Sequence, residues 1–198
     1  MTLLERIPRE TFHEASIPVL ETKRLVLRAP RLGDAKTVAT LANDRRIAEN
    51  TARIPHPYKL SDAEDFITRA GKPDEAIYLI TLRGKTVIGA CGIVLQDAVP
   101  ELGYWLGVAH WGQGYATEAL HAVIDYAFTD LAHEQLQAGA RVTNPASRRV
   151  LEKCGCQWTG VGLYRIRALK SSAPIDRFRL ERSIWASLKS WGASRRVA

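Results

Sequence analysis

The chain has few sulfur-containing residues and no long apolar run. Its 198 residues include three cysteines and one methionine. An odd and small number of cysteines excludes a scaffold held together by disulfides. No stretch approaches the roughly 20 apolar residues that span a bilayer, and the opening MTLLERIPRE lacks the apolar core of a signal peptide. We therefore expect a cytoplasmic protein with reduced thiols and no membrane partner.

Several common ligand-binding motifs are also absent. The chain contains no G-x-x-x-x-G-K-[ST] sequence, which excludes a P-loop for nucleoside triphosphates. Gly112 and Gly114 are not part of a G-x-G-x-x-G fingerprint followed by an acidic residue, so a dinucleotide fold is poorly supported. Cys154 and Cys156 form one C-x-C without a second pair. We interpret them as packing residues and expect no metal.

The charge of the chain is strongly uneven. Composition is ordinary for one globular domain, with 46% hydrophobic and 25% charged residues and a net charge of +7. Residues 1–140 hold 15 Lys/Arg against 18 Asp/Glu, whereas residues 141–198 hold 13 against 3. A basic C-terminal third favours an anionic partner, and both nucleic acid and a phosphorylated cofactor fit that description.

Hydrophobic periodicity predicts one mixed α+β domain. Strand patterns cover 24–30, 76–82, 86–95, 101–108, 135–140, 162–169 and 175–185. Helical patterns cover 33–44, a segment that begins with the capping-box pattern SDAE at 61–64, 115–131, and 144–155 with Asn144 as N-cap and Gly155 as C-cap. We expect an N-terminal arm over 1–20, a single domain over 21–185 and a frayed basic C-terminal tail over 186–198.

The stretch HWGQGYATEAL, residues 110–120, places Gly112, Gly114 and Ala116 at alternating positions just before a helix. The first N–H groups of a helix have no internal partner, and the helix dipole is positive at that end. Glycines let a ligand approach the backbone without meeting a Cβ. The stretch therefore predicts a cradle for an anion, although glycines before a helix also occur in ordinary tight turns.

Three segments together resemble the GNAT superfamily of N-acetyltransferases: ELGYWLGVAHWGQGYATEAL, VTNPASRRVLEKCGC and the earlier ETKRLVLRAPRLGDA. Within it they resemble the branch of ribosomal-protein alanine and serine N-terminal acetyltransferases, over roughly residues 20–185. The resemblance implies a central, mostly antiparallel, twisted sheet of about seven strands flanked by about four helices. It also implies that the fourth and fifth predicted strands splay apart around acetyl-CoA.

The resemblance assigns coenzyme-binding residues. Backbone N–H groups would hold the pyrophosphate at Gly112, Gln113, Gly114, Tyr115, Ala116 and Thr117, with Trp111 where the family usually has Gln or Arg. The splayed strand would pair with the pantetheine arm at Leu106, Gly107 and Val108. Asn144 would bind the pantetheine amides or only cap its helix. Arg148 and Arg149 would reach the phosphoadenosine end or form a solvated basic face.

The resemblance also assigns the chemistry. Glu101 would take a proton from the attacking amine. The alternative is a structural role for Glu101, as an edge-strand residue that limits aggregation or pairs with Arg. Many members protonate the leaving thiolate with a Tyr, but that position here is Leu151. Ser147 would take this role, unless it only hydrogen-bonds near its helix start or the coenzyme thiol needs no acid.

The sequence indicates the identity of the acceptor less clearly than that of the coenzyme. Walls over about 50–66 and 164–177 would surround it, with candidate contacts at Asn50, Arg53, Tyr58 and Tyr104. We expect an acetyl-CoA-dependent N-acetyltransferase acting on a primary amine, with a protein N-terminus as first choice. A small amine such as an antibiotic, polyamine or amino acid is the alternative acceptor. A non-catalytic coenzyme-A-binding protein, or one that docks on RNA or the ribosome, is the alternative class, and both a monomer and a homodimer stay open.

Overall fold

The computed structural model describes residues 17–70, 75–83, 85–95 and 99–194. They form one eight-stranded sheet in the order β1-β2-β3-β4-β5-β6-β8-β7. Its strands are β1 Leu20–Glu21, β2 Leu25–Arg28, β3 Glu75–Leu82, β4 Thr86–Val94, β5 Glu101–Leu106, β6 Gln135–Arg141, β7 Gln157–Ile166 and β8 Ser171–Glu181. The helices are α1 Ala35–Ala42, α2 Arg45–Ala48, α3 Leu60–Arg69, α4 Tyr115–Thr129, α5 Pro145–Lys153 and α6 Arg182–Ser194. The predicted mixed, mostly antiparallel fold is confirmed.

The two faces of the sheet bury two separate apolar clusters. On one face, α4 packs its apolar stripe against β2–β6, and Leu120, Val123 and Phe128 are fully buried. Burial of each such side chain contributes roughly 1.5–3 kcal/mol. On the other face, α1 and α3 pack over β3 and β4 around Val38 and Leu79. The sheet is therefore held from both sides, and the ends of its central strands remain available for a site.

The central strands β5 and β6 separate after two residue pairs. Among the described strands they form the one parallel pair, and their register contains only Glu101↔Gln137 and Leu102↔Ala138. On the other edge of β5, the Gly107 N–H donates to the Ile88 carbonyl at 2.8 Å. Hydrogen-bonding direction alternates along a strand, so the N–H and C=O groups of Tyr104 and Leu106 face the opening towards β6. The predicted splay is confirmed.

The end of the chain differs from the prediction. The last strand was expected to reach Trp185 but ends at Glu181, and residues up to Ser194 form α6. Trp185 lies 5.3 Å from Phe128 between ring centroids, and its Nε1 donates to Asp125 at 2.8 Å. This long-range packing turns the predicted strand end and frayed tail into a docked helix. Residues 195–198 of the predicted tail, and 1–16 of the predicted arm, lie outside the described residues.

Smaller differences affect element boundaries. The strand predicted over 101–108 stops at Leu106, because residues 108–110 form a 3₁₀ turn. Helix α3 begins at Leu60 rather than Ser61, with the Asp62 carboxylate accepting from the Lys59 N–H at 2.8 Å. The prediction missed β1 and α2, both of which have four residues or fewer. No helix in the described ranges is long and apolar enough to cross a membrane.

Candidate active site

The loop before α4 presents a row of unpaired backbone donors. Gly112 and Gly114 have φ of +74° and +78°, a region that strongly favours glycine. Within the described residues, none of the N–H groups of residues 112–117 has a hydrogen-bond acceptor. A Cβ built on Gly112 meets no atom within 4 Å, so the space above this turn is open. Successive N–H groups around left-handed residues at a helix start form an anion-binding site.

Side chains of this loop form hydrogen bonds with backbone carbonyls of the loop and of β5. The Trp111 Nε1 donates to the Leu106 carbonyl at 2.8 Å, and the Gln113 side chain donates to the Ala109 carbonyl at 3.0 Å. Gln113 thus offers a ligand its backbone rather than its amide. The role of Trp111, which replaces the family's usual Gln or Arg, is to join the loop to the end of β5.

An ion pair that sequence reasoning missed fixes the loop from the other side. The Arg24 Nε donates to Glu118 Oε2 at 2.6 Å, and the Thr22 hydroxyl donates to Glu118 Oε1 at 2.6 Å. Arg24 also donates to the Gln113 carbonyl at 2.9 Å and lies 4.6 Å from the centroid of the Tyr115 ring. Burial raises the pKa of Glu118, but the bonds from Thr22 and Arg24 outweigh it and hold the pKa below its ordinary value.

A cleft of about 780 Å³ borders β5 from its Glu101 end as far as Trp105. Its walls are the loop after α2, helix α3, strands β3–β6 and the β7–β8 hairpin. The structure brings into its lining the predicted catalytic and acceptor residues: Glu101, Ser147, Asn50, Arg53, Tyr58 and Tyr104. The predicted coenzyme contacts at 106–108, 112–117, 144, 148 and 149 lie outside this lining.

Glu101 stands where β5 enters the cleft. Its carboxylate is half-buried, and the Arg53 Nη2 lies 3.8 Å from its Oε2. Arg53 belongs to the loop after α2, so this contact joins the loop to β5. A carboxylate placed at the splay of the sheet can accept a proton from a group that binds in the cleft.

Tyr104 and Ser147 form a hydrogen-bonded pair. The Tyr104 hydroxyl donates to the Ser147 Oγ at 2.9 Å, and the Ser147 N–H donates to the Asn144 side chain at 3.1 Å. Burial raises the pKa of Tyr104 to about 12, so the phenol stays protonated at neutral pH. Because strand neighbours alternate, Tyr104 lies on the opposite face from Glu101. The alternation along the strand, which puts Tyr104 and Glu101 on opposite faces, can be predicted from the sequence. The hydrogen bond from Tyr104 to Ser147 on α5 cannot.

Two of the predicted acceptor contacts, Tyr58 and Asn50, use their polar groups in hydrogen bonds within the protein. The Tyr58 hydroxyl donates to the Asp62 carbonyl at 3.1 Å, and burial raises its pKa to about 12. The Asn50 side chain donates to the Arg46 carbonyl at 2.8 Å. Both residues line the cleft, and the geometry makes Tyr58 primarily an apolar part of its wall.

The predicted contacts on α5 differ from one another. Asn144 is the N-cap of α5, as the sequence predicted. Arg148 lies 3.2 Å from the buried carboxylate of Asp176, which also accepts from the Trp158 Nε1 at 2.9 Å. Arg149 is exposed to solvent. The described part of the helix therefore offers an anionic ligand Arg149 more directly than Arg148.

The cysteines are buried thiols rather than reactive groups. Burial raises the pKa of Cys154 to about 12 and that of Cys156 to about 11, so both are neutral near pH 7. Among the described residues, no group of three His, Cys, Asp or Glu side chains lies close enough together to hold a metal ion.

Comparisons with known proteins identify the family. The family model described as the acetyltransferase (GNAT) domain matches residues 24–157. The chain is 31% identical over 151 residues to p20 of Bacillus licheniformis, an uncharacterized N-acetyltransferase, covering 72% of this chain and 84% of that protein.

Two solved structures share the fold. The spermidine N-acetyltransferase of Vibrio cholerae, in complex with CoA and spermine, has a TM-score of 0.71 and 22% identity and covers 83% of this chain and 99% of its own. RimL, a ribosomal L7/L12 alpha-N-protein acetyltransferase in complex with coenzyme A, has a TM-score of 0.73 and 15% identity, with coverage of 83% and 98%. The family model and the relative together show that this chain is an acyltransferase that belongs to the GNAT family of acetyltransferases.

Proposed function

We propose that the protein transfers an acetyl group from acetyl-CoA to the α-amine of a protein N-terminus. The observation that carries the proposal is the row of unpaired N–H groups at residues 112–117, beside the open edge of β5. RimL, which shares the fold, is named for acetylation of an N-terminal α-amine. The polyamine acceptor of the spermidine enzyme is the alternative within the same fold.

The residues present fit acetyl-CoA. At Gly112 and Gly114 the backbone N–H groups are accessible to a pyrophosphate, which needs hydrogen-bond donors. A Cβ at Gly112 would occupy the open space above the turn. Beyond its two residue pairs with β6, the edge of β5 at Tyr104 and the Leu106 N–H suits the amides of pantetheine, which pair as a strand does, whereas the Leu106 carbonyl accepts from Trp111. When bound, acetyl-CoA supplies a thioester carbonyl that an amine attacks.

Glu101 would accept the proton that the amine loses. An α-amine titrates near 8 and a lysine side chain near 10.4, so an N-terminal amine needs less help from a base. The position of Glu101 at the splay allows the transfer directly or through one water. Arg53, 3.8 Å away, keeps the carboxylate at the cleft entrance.

Ser147 would stabilise the leaving sulfur. Its Oγ accepts a hydrogen bond from the Tyr104 hydroxyl, so the Ser147 O–H can itself point to another group in the cleft. Tyr104 stays protonated because burial raises its pKa to about 12, and it therefore remains a constant donor to Ser147. The pair acts as a hydrogen-bond donor to a thiolate and does not itself need to lose a proton.

The first experiment measures acetyl-CoA binding by calorimetry and thiol release with a panel of N-terminal peptides and small amines. For Glu101→Gln we expect kcat to fall about 100-fold or more, since general-base catalysis contributes roughly 10²–10⁴, while acetyl-CoA affinity stays unchanged. Glu75→Gln is the control, because Glu75 lines the same cleft. Equal kcat in wild type and Glu101→Gln would remove Glu101 from the mechanism, and absence of acetyl-CoA binding would contradict the proposed function.

A further inference from the structure

The floor of the cleft combines glycines with arginines. Strand alternation places Glu101 and Gly103 of β5, and Gly139 and Arg141 of β6, on the cleft face of the sheet. Gly139 pairs with Arg177 of β8. A Cβ on Gly103 would meet no atom within 4 Å, so the floor beside Glu101 is open, whereas a Cβ on Gly139 would meet the Ile175 Cγ2 at 2.9 Å.

Three of the cleft arginines have no carboxylate partner among the residues that the structure describes. We call Arg141, Arg167 and Arg177 the arginine cluster; all three line the cleft. In the part of the chain that the structure describes, none of them forms an ion pair. Across the whole described lining, arginines exceed carboxylates by six to four, with Arg53, Arg69 and Arg179 added to the cluster against Asp62, Asp65, Glu75 and Glu101.

Backbone carbonyls hold two members of the cluster in place. The Arg141 Nη1 donates to the Glu49 carbonyl at 2.9 Å, and the Arg167 Nη1 donates to the Arg53 carbonyl at 3.3 Å. The backbone N–H of Arg167 also donates to the Ala52 carbonyl at 3.1 Å. Carbonyl contacts orient a guanidinium without cancelling its charge, so the cluster stays positive.

Arg141 carries a further sign of an absent acceptor. Its Nε is buried and has no hydrogen-bond partner among the described residues. A buried charged donor without a partner is unfavourable, and native structures avoid it unless a water or ligand supplies the acceptor. The cleft therefore offers a preformed place for an anion beside the place for an amine.

From this arrangement we propose that the acceptor carries, besides its reactive amine, a carboxylate that the arginine cluster binds while the amine lies at Glu101. The inference rests on the proposed function and adds the substrate class: an N-terminal segment with acidic side chains in its first residues. A free amino acid offers the same carboxylate from a second source. A polyamine carries only positive charges and would be repelled by the cluster.

The distance between the two groups favours a peptide. Glu101 pairs with Gln137 on β6, and Gln137 pairs with Arg179 on β8, next to the strand position of Arg177. Two strand spacings, about 10 Å between backbones, separate Glu101 from Arg179. Arg177 lies two residues from Arg179 on β8 and its guanidinium packs against Gly162 of β7, so the span from Glu101 to the cluster is longer. An extended peptide reaches across that span, whereas the amine and carboxylate of a free amino acid are adjacent.

The test compares acceptors that differ only in charge. The first pair is a peptide that begins Ser-Asp-Glu and the same peptide with Ser-Asn-Gln; the second pair is free serine and serinamide; spermidine is added alone. For the wild-type protein we expect kcat/KM to be at least about tenfold higher for the acidic peptide than for the amide peptide, the size of one charge-assisted bond. A larger preference for serine over serinamide would assign the carboxylate to a free amino acid and overturn the peptide assignment.

Two arginine variants locate the effect. Arg177→Gln should lower the preference for the acidic peptide to about twofold, because one unneutralised guanidinium is removed. Arg165→Gln is the matched control, since Arg165 lies on β7 outside the cleft lining and is exposed. For Arg165→Gln, the ratio of kcat/KM for the acidic peptide to kcat/KM for the amide peptide should equal that of the wild type. Equal effects of both variants, a wild-type ratio near one, or spermidine as the best acceptor would overturn the inference.

A binding measurement separates this inference from the proposed function. Calorimetry with acetyl-CoA reports on the enzyme assignment alone. Calorimetry with the acidic and amide peptides, on protein saturated with coenzyme A and on protein alone, reports on the cleft without any turnover. Tighter binding of the acidic peptide supports the inference even where no acetyl transfer is seen, and equal binding of the two peptides overturns it even in an active enzyme.

Discussion

The two ends of strand β5 differ in what they offer a ligand. At the Leu106 end, the loop and the start of α4 present backbone N–H groups, while Trp111 donates to the Leu106 carbonyl and Arg24 to the Gln113 carbonyl. At the Glu101 end, the cleft presents charged side chains, six arginines and four carboxylates among the described residues. One strand thus joins two halves. The first is made of backbone groups, and we call it the coenzyme half because we propose that it binds acetyl-CoA. The second is made of side chains, and we call it the acceptor half because we propose that it binds the amine.

The difference teaches how a common donor is combined with varied acceptors. Every residue except proline has a backbone N–H, so the coenzyme half should tolerate side-chain changes other than to proline wherever the turn geometry is kept. The acceptor half depends on which side chains line the cleft, and single substitutions alter it. The fold neighbours illustrate this, since one is named for spermidine and another for a ribosomal protein.

Of the next three substitutions, the one with the largest expected effect changes the backbone of the coenzyme half. Gly112→Ala places a Cβ at a φ of +74°, a conformation that costs an L-residue about 1–2 kcal/mol. The Cβ also occupies the open space above the turn. We expect the dissociation constant of acetyl-CoA, measured by calorimetry, to rise at least about tenfold.

Gly33→Ala is the matched control for that substitution. A Cβ on Gly33 also meets no atom within 4 Å, but its φ lies outside the left-handed region. Its acetyl-CoA affinity should equal that of the wild type. Equal affinity in the Gly112→Ala protein would show that the turn does not need glycine and would weaken the backbone assignment.

A second prediction concerns the ion pair that holds the coenzyme half. Glu118→Gln should lower the free energy of unfolding at pH 7 by about 1–2 kcal/mol, because charge-assisted bonds to Thr22 and Arg24 are weakened and Arg24 is partly exposed. The pKa of Glu118 is lower in the folded protein than in the unfolded chain. Its contribution is therefore present above the unfolded pKa and is lost as the pH falls through the folded pKa.

Urea denaturation at pH 7 and at about pH 3 measures the difference in the free energy of unfolding between wild type and Glu118→Gln. This difference should be smaller at the lower pH. Glu134→Gln is the control, because the Glu134 side chain is 81% exposed in its pair with Arg182. Exposed pairs contribute about 0–1 kcal/mol. A gap that stays constant with pH would show that the carboxylate charge of Glu118 is not the source of the stability.

The smallest expected effect lies where the two halves meet. Tyr104→Phe removes the donor to Ser147 and should lower kcat about fivefold, the value of a neutral hydrogen bond of about 1 kcal/mol. The acceptor KM should not change. Tyr126→Phe, at a hydroxyl without a hydrogen bond to a described residue, should leave kcat at the wild-type value. A changed KM with constant kcat would move Tyr104 from the chemistry to acceptor binding.

The sequence predicted local features well. The alternation of residues 76–82 and 86–95 predicted the hairpin of β3 and β4, and the apolar spacing after Tyr115 predicted α4. Asn144 and Pro145 predicted the start of α5. Each of these features depends on residues close in the chain, where propensity and capping act. The resemblance to a family supplied the splay of the central strands, which no periodicity contains.

The parts that the sequence did not predict depend on distant residues. Arg24 meets Glu118 across 94 positions, and Tyr104 meets Ser147 across 43. Trp185 was read as the end of a strand because its neighbours alternate, but its contact with Phe128 favours a helix. The basic C-terminal third suggested phosphate or nucleic acid, whereas the structure places Arg141, Arg167, Arg177 and Arg179 in the cleft.

The row of N–H groups at residues 112–117 also affects how the enzyme responds to acidity. A peptide N–H does not titrate in the physiological range, so the hold on a pyrophosphate is the same at pH 6 as at pH 9. An α-amine exchanges protons with the medium in this range. If the coenzyme binds as we propose, its backbone contacts would therefore persist while the acceptor amine gains or loses its charge.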